Sequence, residues 1–157
     1  MKIALWVIGK HHATYVEEGC QLFAQRITRY NPFEVLVLPD VKQAGQLSPD
    51  QLKKKEGTLI LEKLAPGDSL WLLDEKGKRF DSAGFARFLQ ERLLHERGRL
   101  IFLIGGAYGF DETVYKQAQG RLSLSDMTMN HQLVRIVFLE QLYRGFTILR
   151  NEPYHHA

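Results

Sequence analysis

The chain has 157 residues, with 21 lysine and arginine residues against 18 aspartate and glutamate residues, and a formal net charge of +3. A chain of this length can bury a single hydrophobic core without a disulfide or a metal, and its one cysteine, Cys20, excludes an intrachain disulfide and a cysteine-rich zinc site. The small basic excess is compatible with an anionic partner but does not indicate one, because it is common in proteins that bind no nucleic acid.

Short apolar runs alternate with longer stretches of helical periodicity along the chain. This pattern is typical of an α/β fold, with a mainly parallel sheet and helices on both faces. The predicted strands are Ile3–Ile8, Phe33–Leu38, Ser69–Leu73, Leu100–Ile104 and Leu122–Leu124. The predicted helices are Thr14–Tyr30, Pro49–Leu64, Asp81–Glu96, Asp111–Gln119 and His131–Leu149. No repeat or second-domain boundary is seen, so residues 1–157 are interpreted as one domain.

The first predicted strand lies in the segment MKIALWVIGKHH. Its apolar run is followed by Lys10, His11 and His12, where a signal peptide would have small residues for cleavage. A buried strand therefore explains this segment better than a secretion signal. No apolar run approaches the roughly 20 residues that cross a bilayer, and we expect a cytoplasmic protein that does not contact the membrane.

The ends of the predicted helices have suitable capping residues. Asp81 and Asp111 can accept hydrogen bonds from first-turn amides. Gly98 and Gly120 suit the left-handed conformation that often ends a helix. These four positions fix the expected bounds of the third and fourth helices.

The segments that follow the last three strands are the expected ligand site, because open α/β sheets bind ligands beyond the carboxyl ends of their strands. They are LLDEKGK, LIGGAYGF and LSLSDMTMN. Gly105, Gly106 and Gly109 would let backbone amides approach a ligand. Their spacing is not G-x-G-x-x-G and no Walker lysine follows, which disfavours a dinucleotide or P-loop site. Taken alone, a glycine-rich turn after a buried strand has a structural role more often than a functional one.

The last helix is almost entirely apolar in its first two turns, LVRIVFL, with Arg135 as the one charge. Asn130 is predicted to cap this helix, which places His131 in the first turn, where the dipole favours an anion. At about 100° per residue, His131 and Arg135 share one face, while Glu140 and Arg144 lie nearly opposite and can pair. By itself this pattern fits a capped helix with one internal ion pair.

With the closing segment PYHH, these features resemble the RlmH family of SPOUT-class methyltransferases, which methylate N3 of a pseudouridine in large-subunit ribosomal RNA. The resemblance covers the whole chain. It is carried by VIGK in the first strand and by KKKEG, LLDEKGK, LIGGAYG, HQLVRIVFLEQLYRGF and PYHH. The three C-terminal segments are specific in combination, although none is specific alone.

The resemblance implies a SPOUT-type α/β fold with a C-terminal trefoil knot, and a homodimer packed through the final helix. It also implies that S-adenosylmethionine binds at Leu73, Gly105, Gly106, Leu124, Ser125, Asp126, Met127, Thr128 and Met129. One departure concerns the flanks of His131, where this family often has prolines. Asn130 and Gln132 occupy those places here.

The implied reaction transfers a methyl group from a sulfonium to a ring nitrogen that carries a proton. His131 and His155 are the candidate proton acceptors, because histidine titrates near neutral pH. Arg135 or Arg144 would stabilise the uridine anion or hold phosphates, and Tyr154 would stack on a base. The chemistry requires no metal.

Two other functions remain open at the level of the sequence. The first is a non-catalytic module that binds RNA or the ribosome with the same sheet, and the second is a nucleotide-dependent oxidoreductase or hydrolase that uses the GGAYG turn. Affinity for S-adenosylmethionine, NAD or ATP distinguishes them. For the methyltransferase, the expected substrate is the assembled ribosome or large subunit, because one small domain offers little area for reading free RNA.

Overall fold

The computed structural model describes residues 2–156. Its elements follow in the order β1 (Ile3–Ile8), α1 (Thr14–Thr28), β2 (Phe33–Leu38), a 3₁₀ turn (Ala44–Gln46), α2 (Pro49–Lys63), β3 (Ser69–Arg79), α3 (Ser82–His95), β4 (Leu100–Ile104), α4 (Glu112–Gln117), β5 (Gly120–Ser123) and α5 (Leu133–Leu149).

The strands form one parallel sheet in the order β2-β1-β4-β3-β5. Successive side chains of a strand point to opposite faces. Leu5 therefore packs with residues of α1, α3 and α5, while Trp6 packs with residues of α2 and α4. Helices cover both faces, which confirms the predicted fold class. It also explains why the central strands are continuous apolar runs.

The strands that are buried on both faces have the predicted bounds, because an apolar run is all that defines them. β3 differs, since it continues through the charged segment from Leu73 to Arg79. It pairs with β5 in two stretches, with Leu73 and Lys78 both opposite Leu122, and residues 74–77 bulge between them.

β5 also differs from the prediction, because it begins at Gly120 and ends at Ser123. Leu124 therefore lies in the following loop and not in the strand. Backbone pairing with β3 sets these bounds, and this pairing cannot be predicted from the hydrophobicity of the side chains.

The predicted left-handed helix ends at Gly98 and Gly120 are wrong. α3 and α4 end in extended conformations at Glu96 and Ala118, and neither glycine has a positive φ. Gly98 instead packs its Cα against the carbonyl of Gly67. The predicted caps Asp81 and Asp111 are confirmed, since each side chain accepts a hydrogen bond from a first-turn amide.

The last helix begins at Leu133, two residues after the predicted start. Asn130 still caps it, because its Oδ1 accepts from the amides of Gln132 at 2.7 Å and Leu133 at 3.3 Å. His131 therefore lies in a turn before α5 and not in its first helical turn. No helix among residues 2–156 is long and apolar enough to cross a membrane.

Candidate active site

A cavity of about 500 Å³ lies at the carboxyl ends of β4 and β5 and beside the bulge within β3, which lies between them in the sheet. Three segments that are distant in sequence line it. They are residues 73–76, 104–110 and 122–129 without Asp126, joined by Tyr115, His131 and Val134. These are the three segments that the sequence predicted would meet at this edge of the sheet.

The first wall of the cavity is the glycine turn after β4. The amide of Gly109 donates to the carbonyl of Gly106 at 3.3 Å, and Gly109 has a φ of +84°, which suits glycine. Behind the turn, the carboxylate of Glu56 on α2 occupies the space that a Cβ on Gly106 would need. The backbone of Gly105 and Gly106 is therefore the surface that the turn offers to a ligand.

The second wall is the loop after β5, which is held at its base by serine side chains. Ser123 Oγ donates to the carbonyl of Ser125 at 3.1 Å, and Ser125 Oγ accepts from the amide of Met127 at 2.9 Å. Asp126 turns away from the cavity and pairs with Arg79 at 2.6 Å. All the predicted cofactor residues except Asp126 line the cavity.

The third wall is the bulge after the first half of β3. Asp74 accepts from the amide of Lys76 at 2.9 Å and from the hydroxyl of Tyr115 at 2.8 Å, with Arg121 3.9 Å away. Burial and the hydrogen bond to Asp74 raise the pKa of Tyr115. The sequence identified the segment of Asp74, but nothing in the short helix α4 indicated that Tyr115 would meet it.

His131 lies on the cavity wall beside the end of β1. Its ring meets the ring of His12 edge-on, with centroids 6.3 Å apart. Gln132 joins the two loops, because its side chain accepts from the amide of His12 at 2.9 Å and donates to the carbonyl of Lys10 at 3.2 Å. A proline in place of Gln132 would make neither contact, so the departure from the family pattern has a structural use.

Arg135 is buried and does not line the cavity. Its guanidinium donates to the carbonyls of Ile8 at 2.8 Å and Gly9 at 2.9 Å, and lies 3.1 Å from Nδ1 of His11. Burial lowers the pKa of Arg135, and burial together with the charge of Arg135 lowers the pKa of His11. The structure thus shows Arg135 holding the end of β1, away from the predicted companion His131.

The C-terminal tail is folded against α5. Glu140 Oε1 accepts from Arg144 Nε at 3.0 Å and from the hydroxyl of Tyr154 at 3.1 Å, which confirms the predicted pairing of Glu140 with Arg144. The guanidinium of Arg144 lies 4.8 Å from the Tyr154 ring centroid and 3.0 Å from Nδ1 of His155. The hydrogen bond to Glu140 raises the pKa of Arg144.

The turn at the base of the tail is held by Tyr30, which lies in the turn that follows α1. The hydroxyl of Tyr30 donates to Glu152 Oε2 at 2.6 Å, and the Tyr30 ring stacks on Phe146 with centroids 5.5 Å apart. Burial and the contact with Glu152 raise the pKa of Tyr30 to about 12. The direction in which the tail leaves α5 is therefore fixed by contacts within the chain.

The predicted catalytic residues consequently fall in three places. His131 lines the cavity, Arg135 is in the interior, and Arg144, Tyr154 and His155 form what we call the tail cluster. Val134, which lines the cavity, and Arg144 are separated along α5 by about 15 Å, at 1.5 Å per residue. Within one chain the tail cluster does not reach the cavity wall.

The family model described as Predicted SPOUT methyltransferase matches residues 1–155. Among curated proteins, a protein of Parabacteroides distasonis named Ribosomal RNA large subunit methyltransferase H is 53% identical, over 99% of both chains. The protein of the same name from Flavobacterium johnsoniae is 51% identical, over 99% of both chains.

Two solved structures resemble the fold at low sequence identity. A probable methyltransferase from Bordetella pertussis superposes with a TM-score of 0.56 at 12% identity, covering 92% of this chain and 93% of that one. A probable methylase family protein from Haemophilus influenzae gives a TM-score of 0.54 at 11% identity, covering 95% of this chain and 66% of that one. At this identity the two structures support the fold.

Proposed function

The chain belongs to the SPOUT methyltransferase family, and from that membership we propose that it transfers a methyl group from S-adenosylmethionine to large-subunit ribosomal RNA. The proposed acceptor is N3 of a pseudouridine, in the assembled ribosome or its large subunit. The names of the relatives support the RNA substrate. The resemblance of the sequence to the RlmH family supports the base and the ring atom.

The cavity at the carboxyl ends of β4 and β5 and at the bulge of β3 is the observation that carries this proposal. It gathers residues from three separate segments that the sequence had marked for the cofactor. Leu73, Leu124 and Met129 supply apolar surface for an adenine ring, while the Gly105–Gly106 backbone supplies polar groups without side chains in the way. A site of this composition suits a nucleoside that is read by backbone atoms.

S-adenosylmethionine, when bound, supplies a methyl group on a positively charged sulfur. The chain must then hold the base in line with that methyl group and accept the proton of N3. We assign the proton acceptor to His131, because among the predicted acceptors it is the one that lines the cavity. We assign Arg135 a structural role, because its guanidinium donates to backbone carbonyls at the end of β1 and holds that end in place.

We further propose that the protein is a homodimer packed through α5. On the outer side of this helix, Leu133 is 40% exposed, and Val137 lies beside it in a shallow groove shared with α3 and β5. An apolar helix face of this kind is usually covered in a soluble protein. A symmetric contact would also bring the tail cluster of one chain towards the cavity of the other, which the distance along α5 prevents within a chain.

The proposal is tested by nucleoside mass spectrometry of ribosomal RNA from cells with and without this gene. Loss of one methylated pseudouridine without the gene, and its restoration by the purified protein with S-adenosylmethionine, is the expected result. Calorimetry with S-adenosylmethionine, NAD and ATP separates the alternatives. Binding of NAD or ATP alone would indicate another enzyme class, and binding of none would favour a non-catalytic RNA-binding module.

A further inference from the structure

Tyr108 lies at the tip of the glycine turn, and its backbone is fixed. The turn is closed by the hydrogen bond from the amide of Gly109 to the carbonyl of Gly106, and these two glycines form an isolated antiparallel bridge. The next residue, Phe110, is 6% exposed and anchors the turn in the core. The backbone that carries the side chain of residue 108 is thus well defined.

The side chain itself is 57% exposed. Within residues 2–156 the Tyr108 hydroxyl has no hydrogen-bond partner and its ring meets no other ring or cation. Tyr30, Tyr115, Tyr143 and Tyr154 all have ring contacts. A large aromatic ring exposed on a closed turn is free to contact a second molecule.

The surroundings of Tyr108 indicate what that molecule is. Tyr108 and Met127, which is 80% exposed, both line the cavity proposed for the cofactor. Glu75 and Lys76 also line this cavity, so its charges are of both signs. This mixture does not favour a phosphate backbone at this point, whereas a neutral planar base suits an aromatic face beside a thioether.

We propose that Tyr108 is the stacking surface for the target base, and that Met127 contacts the same base. This inference rests on the proposed function, because the base must come next to the methyl donor in the cavity. A base removed from its stack in RNA loses the contacts of its two faces, and a positioned aromatic ring replaces one of them. Tyr108 is then a substrate-binding residue whose ring, and not whose hydroxyl, is needed.

The test uses purified wild-type protein and the variants Tyr108→Phe, Tyr108→Leu and Tyr15→Leu. Tyr15 is the matched control, because it is 59% exposed but does not line the cavity. Methylation of ribosomes is measured with S-adenosylmethionine in excess, together with cofactor affinity by calorimetry and oligomeric state by sedimentation. Tyr108→Leu should lower kcat/KM about tenfold, within the range expected for one base–aromatic stack. Tyr108→Phe and Tyr15→Leu should match wild type.

Cofactor affinity and sedimentation should be unchanged in all the variants. Wild-type kcat/KM in Tyr108→Leu would overturn the inference, as would an equal loss in Tyr108→Phe, which would point to the hydroxyl. A matching loss of cofactor affinity would place the ring on the cofactor, and a loss of self-association would place it in a subunit contact. If wild-type protein itself fails to methylate ribosomal RNA, the proposed function falls and this inference falls with it.

Discussion

At the scale of one residue, Gly106 shows why this wall of the cavity has a glycine. A Cβ at this position would lie 2.5 Å from Oε2 and 2.9 Å from Oε1 of Glu56. Both distances are shorter than real contacts of this kind. A Cβ here must therefore displace either the buried carboxylate of Glu56 or the turn, and a displaced turn would move away from α2 and into the cavity.

Gly106→Ala should accordingly weaken the affinity for S-adenosylmethionine about tenfold or more, equivalent to about 1.4 kcal/mol. Calorimetry on a variant shown to be folded by circular dichroism measures the effect. Gly45→Ala is the control, because no heavy atom lies within 4 Å of a Cβ placed there. Unchanged affinity in Gly106→Ala would place the cofactor in another part of the molecule.

Glu56 should make the stability depend on pH. Burial, with a smaller contribution from Asp40, raises the pKa of Glu56 in the folded protein. The folded state then binds the proton more tightly than the unfolded state. The stabilisation is complete below the ordinary glutamate pKa and is lost as the pH rises through the raised value.

Glu56→Gln should remove this decline in the free energy of unfolding. Both about pH 5 and about pH 8 lie above the ordinary pKa of a glutamate. Urea unfolding at these two pH values measures how far the free energy of unfolding declines between them. Glu62→Gln on the same helix, where the side chain is exposed, should keep the decline of the wild-type protein. Equal pH dependence of Glu56→Gln and wild type would contradict the assignment.

Arg135 is a second residue whose contribution to stability can be measured. Arg135→Met keeps most of the aliphatic stem but leaves the carbonyls of Ile8 and Gly9 without their donor, so the free energy of unfolding should fall by about 2–4 kcal/mol. Arg79→Met is the control, because the ion pair of Arg79 with Asp126 is exposed and should contribute less than about 1 kcal/mol. Urea denaturation at one protein concentration compares the two. A stable Arg135→Met that had lost only methyl transfer would indicate a contact with substrate.

At the scale of elements, the apolar runs of β1, β2 and β4 predicted these strands to the residue, and the motifs predicted three segments that meet at one cavity. The rest depends on partners that are distant in sequence. The extension of β3 to Arg79 exists because β5 pairs with it on both sides of the bulge. Helical periodicity placed Arg135 on one face with His131, but His131 lies outside the helix and Arg135 is buried against the end of β1. The pairing of Asp74 with Tyr115 joins two segments with no common motif.

Removal of the C-terminal tail tests whether the tail cluster acts in methyl transfer while the cavity binds the cofactor. Deleting residues 154–157, of which Ala157 lies outside the described residues, should leave self-association and cofactor affinity close to wild type, because no tail residue lines the cavity. Methyl transfer to ribosomes should fall by about two orders of magnitude or more, as expected when a group that positions substrate or transfers a proton is lost. Single-turnover methylation gives the rate.

His156→Ala is the control for the tail deletion, because this side chain is exposed. It should behave as wild type. A truncated protein with the wild-type rate would remove the tail from the reaction. A truncated protein that no longer bound S-adenosylmethionine would show that the tail serves the cofactor.

At the scale of the whole molecule, the outer side of α5 should hold two chains together. Sedimentation at low micromolar concentration should give a dimer for wild type and a monomer for the double variant Leu133→Asp, Val137→Asp, because charges would then face the apolar contact. Leu94→Asp is the control, since Leu94 on α3 is 74% exposed. A soluble wild-type monomer with full cofactor affinity would contradict the dimer.

The central position of β1 has a consequence for how the chain folds. β1 pairs with β4, with Ile3 opposite Leu100, and its end is held by Arg135 of the last helix. β1 can pair with β2 early in synthesis, but its other edge stays unpaired until β4 has left the ribosome. Such long-range contacts are expected to make folding slow, so a newly made copy should acquire its cofactor site only after synthesis is complete.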